Sequence, residues 1–222
     1  MPTVAQRYRW IYKPLVFIAC AAPAAWMVGG AVELVDAHLG ADPVSEIIHR
    51  CGKTALNLLL ITLAVTPLRQ LTGWSHVLRL RRMLGVFAFF YAVLHFTAYF
   101  WLDRGLDWRT IGEDILKRPY ITIGMLALLA LIPLAVTSTN GMMRRLKRRW
   151  QTLHRLIYPI AILGVWHFWW QVKKDIREPL IYALILAALL GWRVWYGPIR
   201  RRLARDAKAT STSAPATARE RT

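Results

Sequence analysis

The chain has little cysteine, which excludes one class of redox centre. Its 222 residues include two cysteines, Cys20 and Cys51, and they show no CxxC spacing. Iron–sulfur clusters are held by several cysteine thiolates, so the sequence provides too few ligands for one. Both cysteines lie in or beside long apolar stretches, and we do not expect a disulfide between them.

The chain also lacks room for a globular domain. It is 56% hydrophobic, and six apolar runs approach the roughly 20 residues that a membrane-spanning helix needs. We therefore predict an all-α membrane protein, a bundle of six transmembrane helices over residues 11–200 after a short cytoplasmic N-terminus at 1–10. Ala22-Pro23-Ala24 resembles a signal-peptide cleavage site, but we expect the first span to stay uncleaved. The runs are 11–31, 54–71, 83–102, 119–137, 152–172 and 178–197.

Acidic residues are scarce and unevenly placed. Twelve Asp and Glu face 30 Lys and Arg, for a net charge of +18. Basic residues concentrate before the first run, in alternate connections and after the last run, whereas the other three connections hold all but two of the acids. This is the positive-inside pattern, and it predicts that both termini are cytoplasmic, with anionic lipids rather than nucleic acid as neighbours. Residues 201–222 contain almost nothing to bury and are predicted to be a disordered basic tail.

One histidine lies deep in each of two predicted spans, His95 in the third and His167 in the fifth. An ionisable ring inside a bilayer is costly and indicates a functional site. Counted from the cytoplasmic ends of their spans, the two rings lie level within about one helical turn. No Cys, Asp or Glu lies at that depth to complete a zinc site. The pair therefore predicts a bis-histidine haem site suited to electron transfer.

His154 stands near the cytoplasmic end of the fifth span, 13 residues before His167, which is about 20 Å of helical rise. That spacing suits a second, inner haem. However, 13 residues also give about 220° of rotation, and the third span offers Arg81 and Arg82 at the matching depth instead of a histidine. We predict one haem at His95 and His167 and leave open whether His154 serves a second.

Arg81 and Arg82 have two interpretations. They are either positive-inside flanking charges or an anion-binding group at the inner mouth of the bundle. Arg81 lies 14 residues before His95, which places it within about 40° of the same helix face. A guanidinium is well shaped for phosphate, for example that of a flavin nucleotide.

Two connections on the predicted outer side carry helix signals. The segment 103–118 contains apolar residues suited to a short interfacial helix. The segment 42–49 begins with Asp42 as a helix N-cap and Pro43 at the first helical position. No internal repeat with a clear period is visible.

Several of these stretches resemble one family, the MsrQ (YedZ) proteins, within the wider ferric-reductase-like transmembrane group. The resemblance covers about residues 8–200. Its motifs are Thr62-Leu63-Ala64-Val65-Thr66-Pro67-Leu68-Arg69, Arg81-Arg82-Met83-Leu84-Gly85-Val86, Tyr91-Ala92-Val93-Leu94-His95, Thr152-Leu153-His154-Arg155-Leu156-Ile157-Tyr158 and His167.

The resemblance implies a bacterial inner-membrane subunit that binds haem b and FMN. In the family, electrons come from the quinone pool or a cytoplasmic flavin reductase and pass to a periplasmic molybdopterin partner of the MsrP type, which reduces oxidised methionines. Carried over, His95 and His167 resemble axial haem ligands and His154 a haem-associated residue. Arg81 and Arg82 resemble residues linked to flavin.

Two alternatives remain at this stage. One is a stand-alone ferric or quinone reductase, although the chain lacks the cytoplasmic flavin and NADPH domain of eukaryotic ferric reductases. The other is a cofactor-free transporter or scaffold, whose histidines relay protons or pack. Arg193 lies within the last span near its cytoplasmic end, and we expect it to extend toward the cytoplasmic surface.

Overall fold

A computed structural model describes residues 6, 8–32, 40–172 and 175–212, and helices dominate it. A π-helical turn, Tyr8–Tyr12, precedes the first helix, another, Ala98–Asp103, follows the third, and a 3₁₀ turn, His154–Leu156, precedes the eighth. The helices are α1 (Lys13–Ala31), α2 (Pro43–Thr72), α3 (Val77–Thr97), α4 (Trp108–Lys117), α5 (Pro119–Val136), α6 (Asn140–Leu146), α7 (Arg148–Leu153), α8 (Ile157–Gln171) and α9 (Arg177–Thr212).

The helix signals in the outer connections are confirmed. The Asp42 side chain accepts a hydrogen bond from the Ser45 backbone N–H at 3.1 Å, and Pro43 opens α2. This cap starts the same helix that forms the second span, so 42–49 is not a separate helix. Asp107 caps α4 in the same way, and the hydrogen bond from the Thr110 hydroxyl lowers the pKa of its carboxyl.

Five of the described helical stretches are long and apolar enough to cross a membrane. The predicted fifth span is the exception, because it is built from α7, the 3₁₀ turn and α8. The 15 residues of α8 rise only about 22 Å, less than the roughly 30 Å of a bilayer core. Pro159 explains the interruption, since it has no N–H to donate to the carbonyl one turn earlier.

The last helix is longer than the sequence predicted. It continues through Pro198 to Thr212, whereas the sequence predicted disorder from residue 201. Arg, Leu, Ala and Lys between these points are strong helix formers, which favours continuation of the helix. Residues 213–222 of the predicted tail lie outside the described residues.

The core forms around α2, which packs along α3 and also meets α8 and α9. On the opposite side α5 packs along α8.

Tyr91 links α1 to α3. Its hydroxyl donates a hydrogen bond to the Cys20 carbonyl at 2.7 Å and accepts one from the Ala24 N–H at 2.9 Å. Those two backbone groups are one turn apart, so the hydroxyl stands within the hydrogen-bond ladder of α1. Cys20 and Cys51 are both buried and free, as expected.

Candidate bis-histidine site

His95 of α3 and His167 of α8 face each other across the bundle. Their ring centres lie 6.0 Å apart, and the ring planes are inclined at 80°. The level placement that was predicted from their depths is therefore present in the fold. A metal–imidazole bond is about 2.0–2.1 Å long. A single metal ion bound by both rings would therefore hold the two ring centres roughly as far apart as the 6.0 Å observed here.

Each ring is held by a backbone carbonyl of a neighbouring helix, α2 for His95 and α5 for His167. His95 Nδ1 lies 2.8 Å from the Ile48 carbonyl oxygen, and His167 Nδ1 lies 2.7 Å from the Tyr120 carbonyl oxygen. Because a carbonyl can only accept, Nδ1 carries the hydrogen in both rings. This leaves Nε2 as the unprotonated nitrogen, which is the arrangement that orients metal-binding histidines.

A glycine lies beneath each ring. A Cβ added to Gly52 would lie 3.1 Å from the His95 ring, and one added to Gly124 would lie 2.8 Å from the His167 ring. Each glycine stands four residues after the residue whose carbonyl holds that ring. Both histidines therefore pack directly against a helix backbone that has no side chain at that turn.

These glycines and carbonyls were not predicted from the sequence. A signal for them exists, however, because both pairs are 72 positions apart, from 52 to 124 and from 95 to 167. The two hydrogen bonds also span the same separation of 47 residues. The same arrangement of carbonyl, glycine and histidine therefore occurs once in α2 and α3 and once in α5 and α8.

A cavity of about 320 Å³ surrounds the pair. Its inner wall is apolar, with Leu59, Leu131 and Ile160 among the lining residues, and its outer rim carries charged side chains. No cluster of three or more His, Cys, Asp or Glu suited to a free metal ion occurs within the described ranges. Two opposed imidazoles, an apolar cavity and two glycine gaps fit haem as the bound group.

His154 lies apart from this pair. It belongs to the 3₁₀ turn, its ring stacks on Trp150 with centres 3.8 Å apart, and it does not line the cavity. Its Nδ1 lies 3.1 Å from the Trp150 carbonyl oxygen, and its Nε2 lies 3.5 Å from the Ser138 hydroxyl. No second histidine faces it among the residues that the structure describes.

Arg81 and Arg82 point in different directions, since successive helix residues are about 100° apart. Arg81 lies within electrostatic range of His154, Tyr158 and Arg193 inside the bundle. The Arg82 side chain is exposed and donates a hydrogen bond to the Asn140 side-chain oxygen in α6. The structure therefore does not bring the two guanidiniums to one site.

Arg193 also turns inward, so the expectation that it extends to the surface was wrong. Its guanidinium donates to the Tyr158 hydroxyl at 2.5 Å and to the Leu63 carbonyl at 2.9 Å. It also lies 5.0 Å from the centre of the Tyr158 ring. These contacts link α9 to α8 and α2 on the side of the bundle where Arg81 lies.

Comparison with known proteins first defines the class. Residues 51–165 match the family model described as "Ferric reductase like transmembrane component". This range holds His95 and Tyr120, but it begins after Ile48 and ends two residues before His167. No solved structure matches the chain.

Close relatives define the family within that class. Three of them are each named "Protein-methionine-sulfoxide reductase heme-binding subunit MsrQ". The protein of Xanthomonas campestris pv. campestris (strain 8004) is 61% identical over 186 residues, covering 82% of this chain and 85% of the relative. That of Xanthomonas axonopodis pv. citri (strain 306) is 58% identical over 211 residues, covering 93% and 95%. That of Rhodospirillum rubrum is 51% identical over 191 residues, covering 86% and 90%. The chain belongs to the MsrQ family.

Proposed function

We propose that this protein is a membrane cytochrome b that carries electrons across the bacterial inner membrane to a periplasmic methionine-sulfoxide reductase of the molybdopterin, MsrP type. Its donor is quinol or a cytoplasmic flavin reductase. The relatives' shared name supports a haem-binding subunit of such a system. The observation that carries the proposal is the opposed pair His95 and His167, with ring centres 6.0 Å apart in an apolar cavity.

The site favours electron transfer over chemistry on a substrate. Haem, when bound, supplies a one-electron carrier. His95 and His167 would hold it through their two Nε2 atoms, and they would leave no open position for oxygen or another ligand. The carbonyls of Ile48 and Tyr120 fix both rings, which keeps the ligand geometry unchanged when the charge changes. Apolar walls exclude water from the centre.

The topology proposed for this role has six spans with both termini in the cytoplasm. Five stretches meet the length and apolarity of a span. The remaining span, the fifth along the chain, consists of α7, the 3₁₀ turn and α8, which follow one another without a break from Arg148 to Gln171. The alternation of basic and mixed connections supports the orientation. It places the outer rim of the haem cavity toward the periplasm and Arg81 toward the cytoplasm.

We assign the inner end of the bundle to electron entry, with FMN as the proposed carrier there. Arg81 and Arg193 lie within electrostatic range of one another. Among the described residues, no carboxylate forms an ion pair with either. Two unpaired guanidiniums inside a membrane bundle favour an anionic ligand, and a flavin phosphate has the required charge. His154 lies beside them and marks the place where a second haem would bind.

A reduced-minus-oxidised visible spectrum of the purified full chain tests the proposal, with haem and flavin quantified per polypeptide. We expect sharp low-spin b-type bands at one haem per chain. Two haems per chain would assign His154 as a ligand of the second. No haem in a folded, haem-supplied preparation would overturn the proposal and favour a cofactor-free transporter or scaffold. Turnover of ferric ion or quinone without any periplasmic protein would favour a stand-alone reductase.

A further inference from the structure

Asp114, near the end of α4, is the one buried acid among the described residues and is 7% exposed. Three side chains converge on its carboxylate. The Tyr99 hydroxyl donates to Oδ2 at 2.9 Å. Arg104 Nε lies 2.9 Å from Oδ2, and Arg118 Nε lies 3.1 Å from Oδ1. One carboxylate therefore holds two guanidiniums and a phenol.

The cluster carries more donors than its carboxylate accepts. Each guanidinium has five N–H groups, whereas Asp114 offers two oxygens. Arg104 Nε is buried and, despite its short distance to Asp114, lacks an aligned hydrogen bond. Asp103 also contacts Arg104, at 3.1 Å, but this acid is partly exposed. The two guanidiniums are therefore balanced in charge by Asp114 and Asp103, but they keep N–H donors that these carboxylates do not use.

These donors face the haem cavity. Tyr99, Arg104 and Arg118 all line it, at the outer rim beyond the two histidines, whereas Asp114 stands behind them. The third cation on the rim, Lys53, is paired with Glu178 at 2.8 Å. The cavity is thus apolar at its inner wall, and its mouth carries the guanidiniums of Arg104 and Arg118 with Asp42 and Asp103 also in its lining.

We propose that Arg104 and Arg118 bind the propionate carboxylates of the haem, with Asp114 as the positioning residue that holds both guanidiniums at the rim. This inference rests on the proposed function, because it requires haem between His95 and His167. A haem is apolar except for its two propionates. An apolar inner wall with cations at the outer mouth therefore admits it in one direction, with its carboxylates outward. Guanidinium and carboxylate form paired, charge-assisted hydrogen bonds.

The arginines also affect how readily the site accepts an electron. A nearby positive charge favours the reduced state, so removal of either guanidinium lowers the midpoint potential. Asp114 opposes this effect by its own charge. Replacement of Asp114 by asparagine releases the two guanidiniums, so haem retention falls. It also removes a negative charge, so the midpoint potential does not fall to the same extent.

The test compares haem b with its dimethyl ester, which has the same ring and iron but no carboxylates. The purified full chain is loaded with either compound, and the rate of transfer to excess apomyoglobin is measured. We expect the wild-type protein to lose the ester at least tenfold faster than haem, as two charge-assisted bonds predict. In the double variant Arg104→Gln, Arg118→Gln the two rates should agree within about twofold. Asp114→Asn should reduce the difference, and Arg118→Lys should retain part of it.

A matched control lies on the exposed face of the same helix. Arg109 and Lys117 both pair with Glu113 there, and their side chains are 89% and 73% exposed. The double variant Arg109→Gln, Lys117→Gln should keep the wild-type preference for haem. If the arginine variant keeps that preference too, the inference is overturned. Equal rates for haem and ester in the wild-type protein also overturn it.

A second measurement covers the case in which the double variant does not fold. The single variant Arg118→Gln removes the more exposed of the two guanidiniums, and its midpoint potential should fall below that of the wild type and of the control. An unchanged potential contradicts the inference. The proposed function fails separately, since only the absence of low-spin haem bands in the wild-type protein counts against it.

Discussion

The two halves of the bundle each contribute one ring to the proposed haem site. Their residues correspond at the level of His95 and His167 but differ at the level of His154. In α2 and α3 the outer residues are Ile48, Gly52 and His95. In α5 and α8 they are Tyr120, Gly124 and His167, each 72 positions later. At the inner level Arg82 and His154 are likewise 72 positions apart in the sequence.

The difference shows which site the fold completes. A bis-histidine site requires both halves to contribute a ring, and only the outer level meets this condition. Arg82 cannot replace a ring, because its guanidinium stays protonated and has no lone pair for a metal. It instead contacts α6, while His154 stacks on Trp150. Among the described residues, the outer level therefore has two opposed rings and the inner level has a histidine without an opposed ring.

The largest expected effect comes from removing either outer ring. His95→Ala and His167→Ala should each abolish the low-spin b-type bands, since one imidazole cannot hold the iron on both faces. His154→Ala, its counterpart at the unpaired level, should keep them. Visible spectra of the three purified variants, reduced and oxidised, check this. Normal bands in both outer variants would refute the ligand assignment.

The next largest effect should come from adding a methyl group at either glycine, and its size should differ between the two halves of the bundle. A Cβ at position 124 would lie 2.8 Å from the His167 ring, and one at 52 would lie 3.1 Å from the His95 ring. Gly124→Ala should therefore lower haem per chain several-fold, and Gly52→Ala by a smaller factor.

Gly112→Ala is the matched control, because nothing lies within 4 Å of a Cβ there. Haem content per polypeptide, measured as pyridine haemochrome, gives the comparison. A greater loss in Gly52→Ala than in Gly124→Ala would mean that ring displacement is not the cause.

A smaller effect is expected at the inner arginines. Arg81 points toward His154, Tyr158 and Arg193, whereas Arg82 points outward to Asn140. Arg81→Ala should lower flavin per chain about tenfold and leave the haem bands unchanged, as the loss of one charge-assisted contact predicts. Arg82→Ala should change flavin content less than twofold. Equal losses in the two variants would show that the inward direction of Arg81 does not matter.

The smallest effect concerns stability. Tyr91 in α3 holds α1 through its hydroxyl, and the residue 72 positions later is Leu163, which cannot make such bonds. Tyr91→Phe should cost about 1–3 kcal/mol, because it removes two hydrogen bonds of a buried group. Thermal unfolding in detergent should show a lower midpoint with normal haem bands. A change in the haem bands would instead link Tyr91 to the site itself.

The sequence predicted those features that depend on local rules. Apolar run length located the helices, and Asp42 with Pro43 located the start of α2. The fixed rise per residue was sufficient to place His95 and His167 at one level. The carbonyl of Ile48 and the gap at Gly52 could not be predicted in this way, because they depend on which helix packs beside α3. The inward turn of Arg193 likewise depends on the tyrosine that α8 presents to it.

The hydrogen bonds that orient the two histidines have a consequence for substitutions at positions 48 and 120. Both acceptors are main-chain carbonyls, and in a helix each already accepts the N–H of the glycine one turn later. Side-chain substitutions at positions 48 and 120 therefore leave the acceptor itself in place, although both residues also line the cavity. The orientation of the two rings thus depends on the backbone path and on the glycine at each turn, and it does not require a particular side chain as acceptor.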